Sequence, residues 1–145
     1  MKILYNLKER KIKDAAYRKL MNAHLADKLY RSIWNILIVR KKYKDPKYSA
    51  RQLAKDLKTN ARYLSAVINS RFGVNYSSLV NEYRIKDAIV MLMDEQYAHT
   101  SIEDISAMVG FANRQSFYAA FYKHVGDSPN NFRKRRRTTA SSVEE

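Results

Sequence analysis

The sequence predicts an all-α fold in which two similar helical units are joined by one long helix. Three observations predict it. Apolar residues recur at three- and four-residue spacing, and strand-like alternation is nearly absent. Only three glycines and two prolines occur in 145 residues, so the breaks are few. A pattern of helix caps, apolar positions and glycines then occurs twice along the chain.

The elements follow in chain order. Residues 1–24 are charged and helix-prone, with Ile12, Ala16, Leu20 and Ala23 loosely on one stripe. Three outcomes stay open for them: extension of the next helix, a separate helix, or pairing with a partner. "LADKLYRSIWNILIVRKKY" carries Leu25, Leu29, Ile33, Trp34, Leu37 and Ile38 at helical spacing, with Trp34 expected in the core. "RKKYKD" and Pro46 interrupt the pattern. Ser49 suits the N-cap of "ARQLAKDL", and Asn60 that of "ARYLSAVINSRF". Gly73 follows, where a C-terminal cap belongs. A longer helix is expected over about 77–94. Ser101 caps "IEDISAMV", with Asp104 completing a box-like pattern. Asn113 caps "RQSFYAAFYKHV", which ends at Gly126. Ser128, with Pro129 at the first helical position, starts a short last helix, "PNNFRK". "RKRRRTTASSVEE" reads as a basic patch followed by a disordered tail.

Composition narrows the function. The formal charge is +14, from 28 Lys and Arg against 14 Asp and Glu. Such an excess attracts polyanions, nucleic acid first and an anionic membrane surface second. There is no cysteine, so disulfides and thiolate metal sites are excluded. No apolar run approaches the roughly 20 residues that span a bilayer. The N-terminus lacks the apolar stretch and cleavage site of a secretory signal. A reducing, cytoplasmic location is expected. His24, His99 and His124 are scattered, and no metal or cofactor is expected. No nucleophile elbow, phosphate-binding loop or dinucleotide fingerprint occurs. Asp87, Asp94, Glu103 and Asp104 read as helix-face and capping charges, so the chain is not expected to be an enzyme.

The repeat is the informative feature. Ser49, Leu53, Ala54 and Leu57 match Ser101, Ile105, Ser106 and Val109, each 52 residues on. One extra residue in the second turn makes the separation 53. Asn60, Leu64, Val67, Ile68, Phe72 and Gly73 then match Asn113, Phe117, Ala120, Phe121, Val125 and Gly126, and Leu79 matches Phe132. Each copy is a short helix, a tight turn and a longer helix with a polar outer face. That is the helix-turn-helix unit, whose second helix can enter a major groove about 12 Å wide. The outer face of the first copy is Arg62, Ser65, Ala66 and Asn69. It corresponds to Gln115, Tyr118, Ala119 and Tyr122, flanked by Arg114 and Lys123. A connecting helix of about 17 residues spans roughly 26 Å. Such a rod could hold two recognition helices about one DNA turn, roughly 34 Å, apart.

"SIEDISAMVGFANRQSFYAAFYKHVGDSPNNFR" resembles the signature of the AraC/XylS family of bacterial transcription regulators. The matching features are Gly110-Phe111, Ser116-Phe117, Phe121, Gly126, and Ser128-Pro129 ahead of Phe132-Arg133. The stretch from Ser49 to Leu92 resembles the family's first unit and linker helix, including Arg84-Ile85 and Ala88. The resemblance implies a bipartite, seven-helix, homeodomain-like tandem domain that binds double-stranded DNA and recruits RNA polymerase at promoters, most often as an activator. It implies base contacts from Arg62, Ser65 and Ala66, with Asn69 one turn further on, and from Arg114, Gln115, Tyr118 and Ala119. Position 119 is often Arg in the family and is Ala here. Lys123, Arg133, Lys134 and Arg135 suit phosphate contacts.

The expected organisation is an N-terminal helical extension over 1–28, a DNA-binding domain over 29–135, and a basic, disordered tail over 136–145. Within the domain, helix-turn-helix units cover 49–73 and 101–126. The rival reading is a basic helical module for protein interaction or a membrane surface. The extension also offers a route to self-association. The length leaves no room beside this domain for an effector-binding or receiver domain of about 100 residues or more. The chain therefore reads as a stand-alone regulator or as the DNA-binding end of a longer one.

Overall fold

The computed structural model describes residues 2–143, with the side chains of residues 6–137. The described residues form seven α-helices and no strand. Helix α1 (Lys2–Trp34) is 33 residues long, or about 50 Å at 1.5 Å per residue. Residues 2–24 extend the next helix and do not form a separate one. The helix widens into a π turn at Asn35–Val39. A loop with one 3-10 turn at Lys42–Lys44 follows.

The caps fall where the side-chain chemistry places them. Ser49 accepts a hydrogen bond from the Gln52 amide and opens α2 (Ala50–Asp56). Asn60 accepts from the Tyr63 amide and opens α3 (Ala61–Phe72), which Gly73 ends in the left-handed conformation. Asn75 opens the linker helix α4 (Tyr76–Met93). Ser101 accepts from the Asp104 amide and opens α5 (Ile102–Val109). Asn113 accepts from the Ser116 amide and opens α6 (Arg114–Val125), again ended by a left-handed glycine, Gly126. Each cap satisfies an amide that has no partner within its own helix. The Ser128 hydroxyl accepts from the Asn131 amide at the start of α7 (Pro129–Val143).

Two separate cores result. The first joins Ile33 and Leu37 to Tyr43, Tyr48, Leu53, Leu64, Val67 and Ile68, and takes Leu79 and Val80 from the first half of α4. The second joins Ile85, Ala88 and Leu92 from the other half of α4 to Ile102, Ile105, Val109, Phe117, Phe121 and Phe132. Burial follows the repeat. Leu53 and Ile105 are both fully buried, as are Leu64 and Phe117. The rings of Phe111, Phe117, Phe121 and Phe132 form a chain of contacts with centroids 5.2–5.7 Å apart.

Two expectations are corrected. Trp34 is not in the core: it is 40% exposed and lies parallel to the Phe72 ring. Ile33 and Leu37, one turn apart, take the inward positions, and a helical step of about 100° swings Trp34 to the flank of α3. The last helix is not short, and the stretch read as disordered continues α7 as far as Val143. No glycine or proline follows Pro129 to stop it. Arg133 and Arg137 bind it to the Tyr97 and Ala98 carbonyls, and Arg135 pairs with Asp127. Glu144 and Glu145 of the expected tail lie outside the described residues.

Candidate nucleic-acid interface

Helices α3 and α6 are both 12 residues long and are capped alike at both ends. Each buries one face and exposes the other. On α3 the buried set is Leu64, Val67 and Ile68, while Arg62, Ser65, Ala66 and Asn69 are exposed. On α6 the buried set is Phe117, Ala120 and Phe121. Arg114, Gln115, Ala119, Tyr122 and Lys123 are exposed, and Tyr118 is half-buried. The structure thus gathers the expected readers of each unit on one outward face.

The two faces differ in chemistry. On α3, the Asn69 side-chain amide lies 3.5 Å from the Ser65 hydroxyl, one turn away. On α6, Arg114 is already engaged. It pairs with Glu103 of α5 at 3.3 Å and lies over the Tyr118 ring, 4.8 Å from its centroid. The Tyr118 hydroxyl also lies 3.4 Å from the Asn130 amide of α7. Ala119 and Lys123 border a cleft shared with Ser78 and Asn81 of α4.

The residues expected on phosphate fall into two kinds. Lys123 and Lys134 are exposed. Arg133 is half-buried and donates to the Tyr97 carbonyl at 3.0 Å, and burial lowers its pKa. Arg135 pairs with Asp127 at 2.5 Å. Arg133 thus ties α7 to the segment between α4 and α5, and Arg135 pairs with the residue just before the helix N-cap.

Sequence reasoning named Arg84 only within the family resemblance and did not single out the cleft that lies between the units. A polar cleft of about 580 Å³ separates them, with Ser65 of α3 on one wall and Ser116 of α6 on the other. Arg84 of α4 lines it and is buried. A charged residue between Val80 and Ile85 on an otherwise apolar stripe was the available signal.

A family model described as a helix-turn-helix domain matches residues 53–135. The chain belongs to this family, as an AraC-type DNA-binding domain of the kind found in transcription regulators. Among curated relatives, it is 30% identical over 87 residues to an uncharacterized HTH-type transcriptional regulator, YtdP, of Bacillus subtilis. That match covers 60% of this chain and 11% of the relative. It is also 30% identical over 90 residues to the melibiose operon regulatory protein of Escherichia coli, covering 62% of this chain and 29% of the relative. The chain therefore spans less than a third of the length of either. Among solved structures, the C-terminal domain of AraT, a response regulator from Geobacillus stearothermophilus, superposes with a TM-score of 0.62 at 26% identity. That likeness covers 73% of this chain and 83% of the other. No helix among the described residues is long and apolar enough to cross a membrane.

Proposed function

We propose that this chain reads two successive major-groove segments on one face of double-stranded DNA, with α3 in one and α6 in the next. The observation that carries the reading is the pair of matched, capped helices on one linker helix, each with an outward polar face. Arg62 and Arg114 suit bidentate bonding to guanine, and Gln115 suits adenine. Ser65, Ala66 and Ala119 let the helix backbones come close to base edges. Asn69 and Tyr118 extend the two faces. Lys123 and Lys134 are exposed, as a phosphate contact requires.

Family membership supports the rest of the reading: control of transcription in the bacterial cytoplasm, as an activator that recruits RNA polymerase. The exposed Ile12, Leu20 and Leu25 on α1 support self-association through that helix. Selection of bound duplexes from a random pool, followed by footprinting of the winner, tests the DNA reading. Two protected segments about one helical turn apart are expected with one chain bound. A single short protected segment would remove α6 from base reading, and failure to enrich any sequence would remove the reading altogether.

A further inference from the structure

The two cores do not merge, and the residue between them is an arginine. Val80 belongs to the first core and Ile85 to the second. Arg84 sits at that junction and is 9% exposed. Its Nε donates to the Tyr43 carbonyl at 2.7 Å, and its Nη2 to the Asp45 carbonyl at 3.3 Å. Both carbonyls belong to the loop that leads into α2 and packs on the first core. The guanidinium also lies over the ring of Phe111, 5.6 Å from its centroid. Phe111 belongs to the turn of the second unit. One side chain on the linker therefore touches both halves of the molecule.

The neighbouring residues tighten the joint. The Tyr43 hydroxyl donates to Asp87 Oδ2 at 2.5 Å, tying the same loop to the next turn of α4. Gly110 has a φ of +114°. A Cβ there would collide with the Tyr43 carbonyl oxygen and stand 2.9 Å from Arg84 Nε. The first unit's equivalent position is Lys58, at a φ of 55°. A side chain is therefore accommodated at that turn in one unit and excluded by the loop in the other.

Apolar contact between two cores is non-directional and tolerates sliding. A buried fork of hydrogen bonds does not, because each bond has a narrow range of distance and angle, and an unpaired carbonyl there is costly. We propose that Arg84 is a positioning residue that sets the spacing and rotational phase of the two recognition helices. It thereby sets the separation of the DNA segments that this chain accepts. The inference rests on the DNA reading above, but one of its two tests does not.

An extra base pair between the segments moves one of them by about 3.4 Å and turns it by roughly 35°. A rigid pair of helices cannot follow. Binding of the parent should then fall by about tenfold, the order of one mismatched base pair, and Arg84→Ala should shrink that fall to about threefold or less. The ratio is the readout, since a merely structural loss would lower both affinities together. Arg84→Lys keeps the charge and loses the fork, so it should behave like the alanine variant.

The second test uses no DNA. The chain has no cysteine, so cysteines placed at the exposed Lys55 and Ala107 give one spin-label pair across the two units. The parent should give one narrow distance by pulsed electron resonance, and Arg84→Ala should broaden or displace it. A folded Arg84→Ala variant with the parent's distance overturns the proposal. So does an unchanged spacing penalty in a variant whose distance has broadened. If circular dichroism shows that Arg84→Ala does not fold, Arg84→Lys carries the same comparison, and a parent-like distance there overturns the proposal equally. If the parent binds no duplex specifically, the DNA reading fails, while the distance measurement still decides what Arg84 does.

Discussion

Arg62 and Arg114 occupy similar places on their helices but start from different states. Arg62 stands exposed in the first turn of α3. Arg114 must first leave Glu103 and the face of Tyr118. An exposed pair of that kind is worth only about 0–1 kcal/mol, so it biases the side chain without locking it. The sharper expectation belongs to Arg62. Arg62→Ala should cost about 1–3 kcal/mol at the selected site and relax the preference at one base pair. Affinity for scrambled duplex should change far less. A titration against cognate and scrambled duplexes checks this, and undiminished discrimination would take base reading away from Arg62.

At the scale of the element, caps and core are separable. Asn60→Ala leaves the amide of Tyr63 without its acceptor and should cost about 1 kcal/mol of stability. Phe121→Ala removes a fully buried ring from the second core and should cost about 3–5 kcal/mol. Chemical denaturation distinguishes the two. The start of α7 adds a pH dependence. Asp127 accepts from the Ser128 amide and from the Asn131 side chain, which hold its carboxyl below the ordinary carboxylate range. A carboxyl whose folded pKa is depressed contributes stability above its unfolded pKa and loses it as pH falls through the folded value. The melting temperature should therefore fall as pH drops below the usual carboxylate range, and Asp127→Asn should flatten part of that fall. An identical acid limb in the variant would show that the contacts of Asp127 contribute nothing.

For the whole molecule, the charge of +14 should dominate encounter with DNA. If about six phosphates are neutralised, log K should fall against log salt with a slope near −5. An affinity indifferent to salt would exclude phosphate neutralisation as its source. The positive residues are not equivalent in this respect. Arg84 and Arg133 are turned inward on backbone carbonyls and count toward net charge while serving the fold. Replacing the exposed Lys123 should lower the slope by about one if it neutralises a phosphate.

Local chemistry alone determined much of this protein. Ser49, Asn60, Ser101 and Asn113 each satisfy an amide three residues on, so their side chains could be read as caps without any knowledge of the fold. The repeated apolar spacing likewise identified Leu64 and Phe117 as inward residues and left Ser65 and Gln115 on the outside. Tertiary structure decided what depends on a neighbour distant in the chain. Trp34 and Ile33 are adjacent and both apolar, and only the packing of the first core shows that Ile33 enters it while Trp34 lies against Phe72. The length of α7 rests on carbonyls of Tyr97 and Ala98, more than 30 residues away. In the sequence, Arg84 stands out only within the family resemblance. It becomes the joint between two units because the loop at Tyr43 and the turn at Gly110 close over it. Hydrogen bonds to groups nearby in sequence are fixed by spacing, whereas burial between units is fixed only when the units meet.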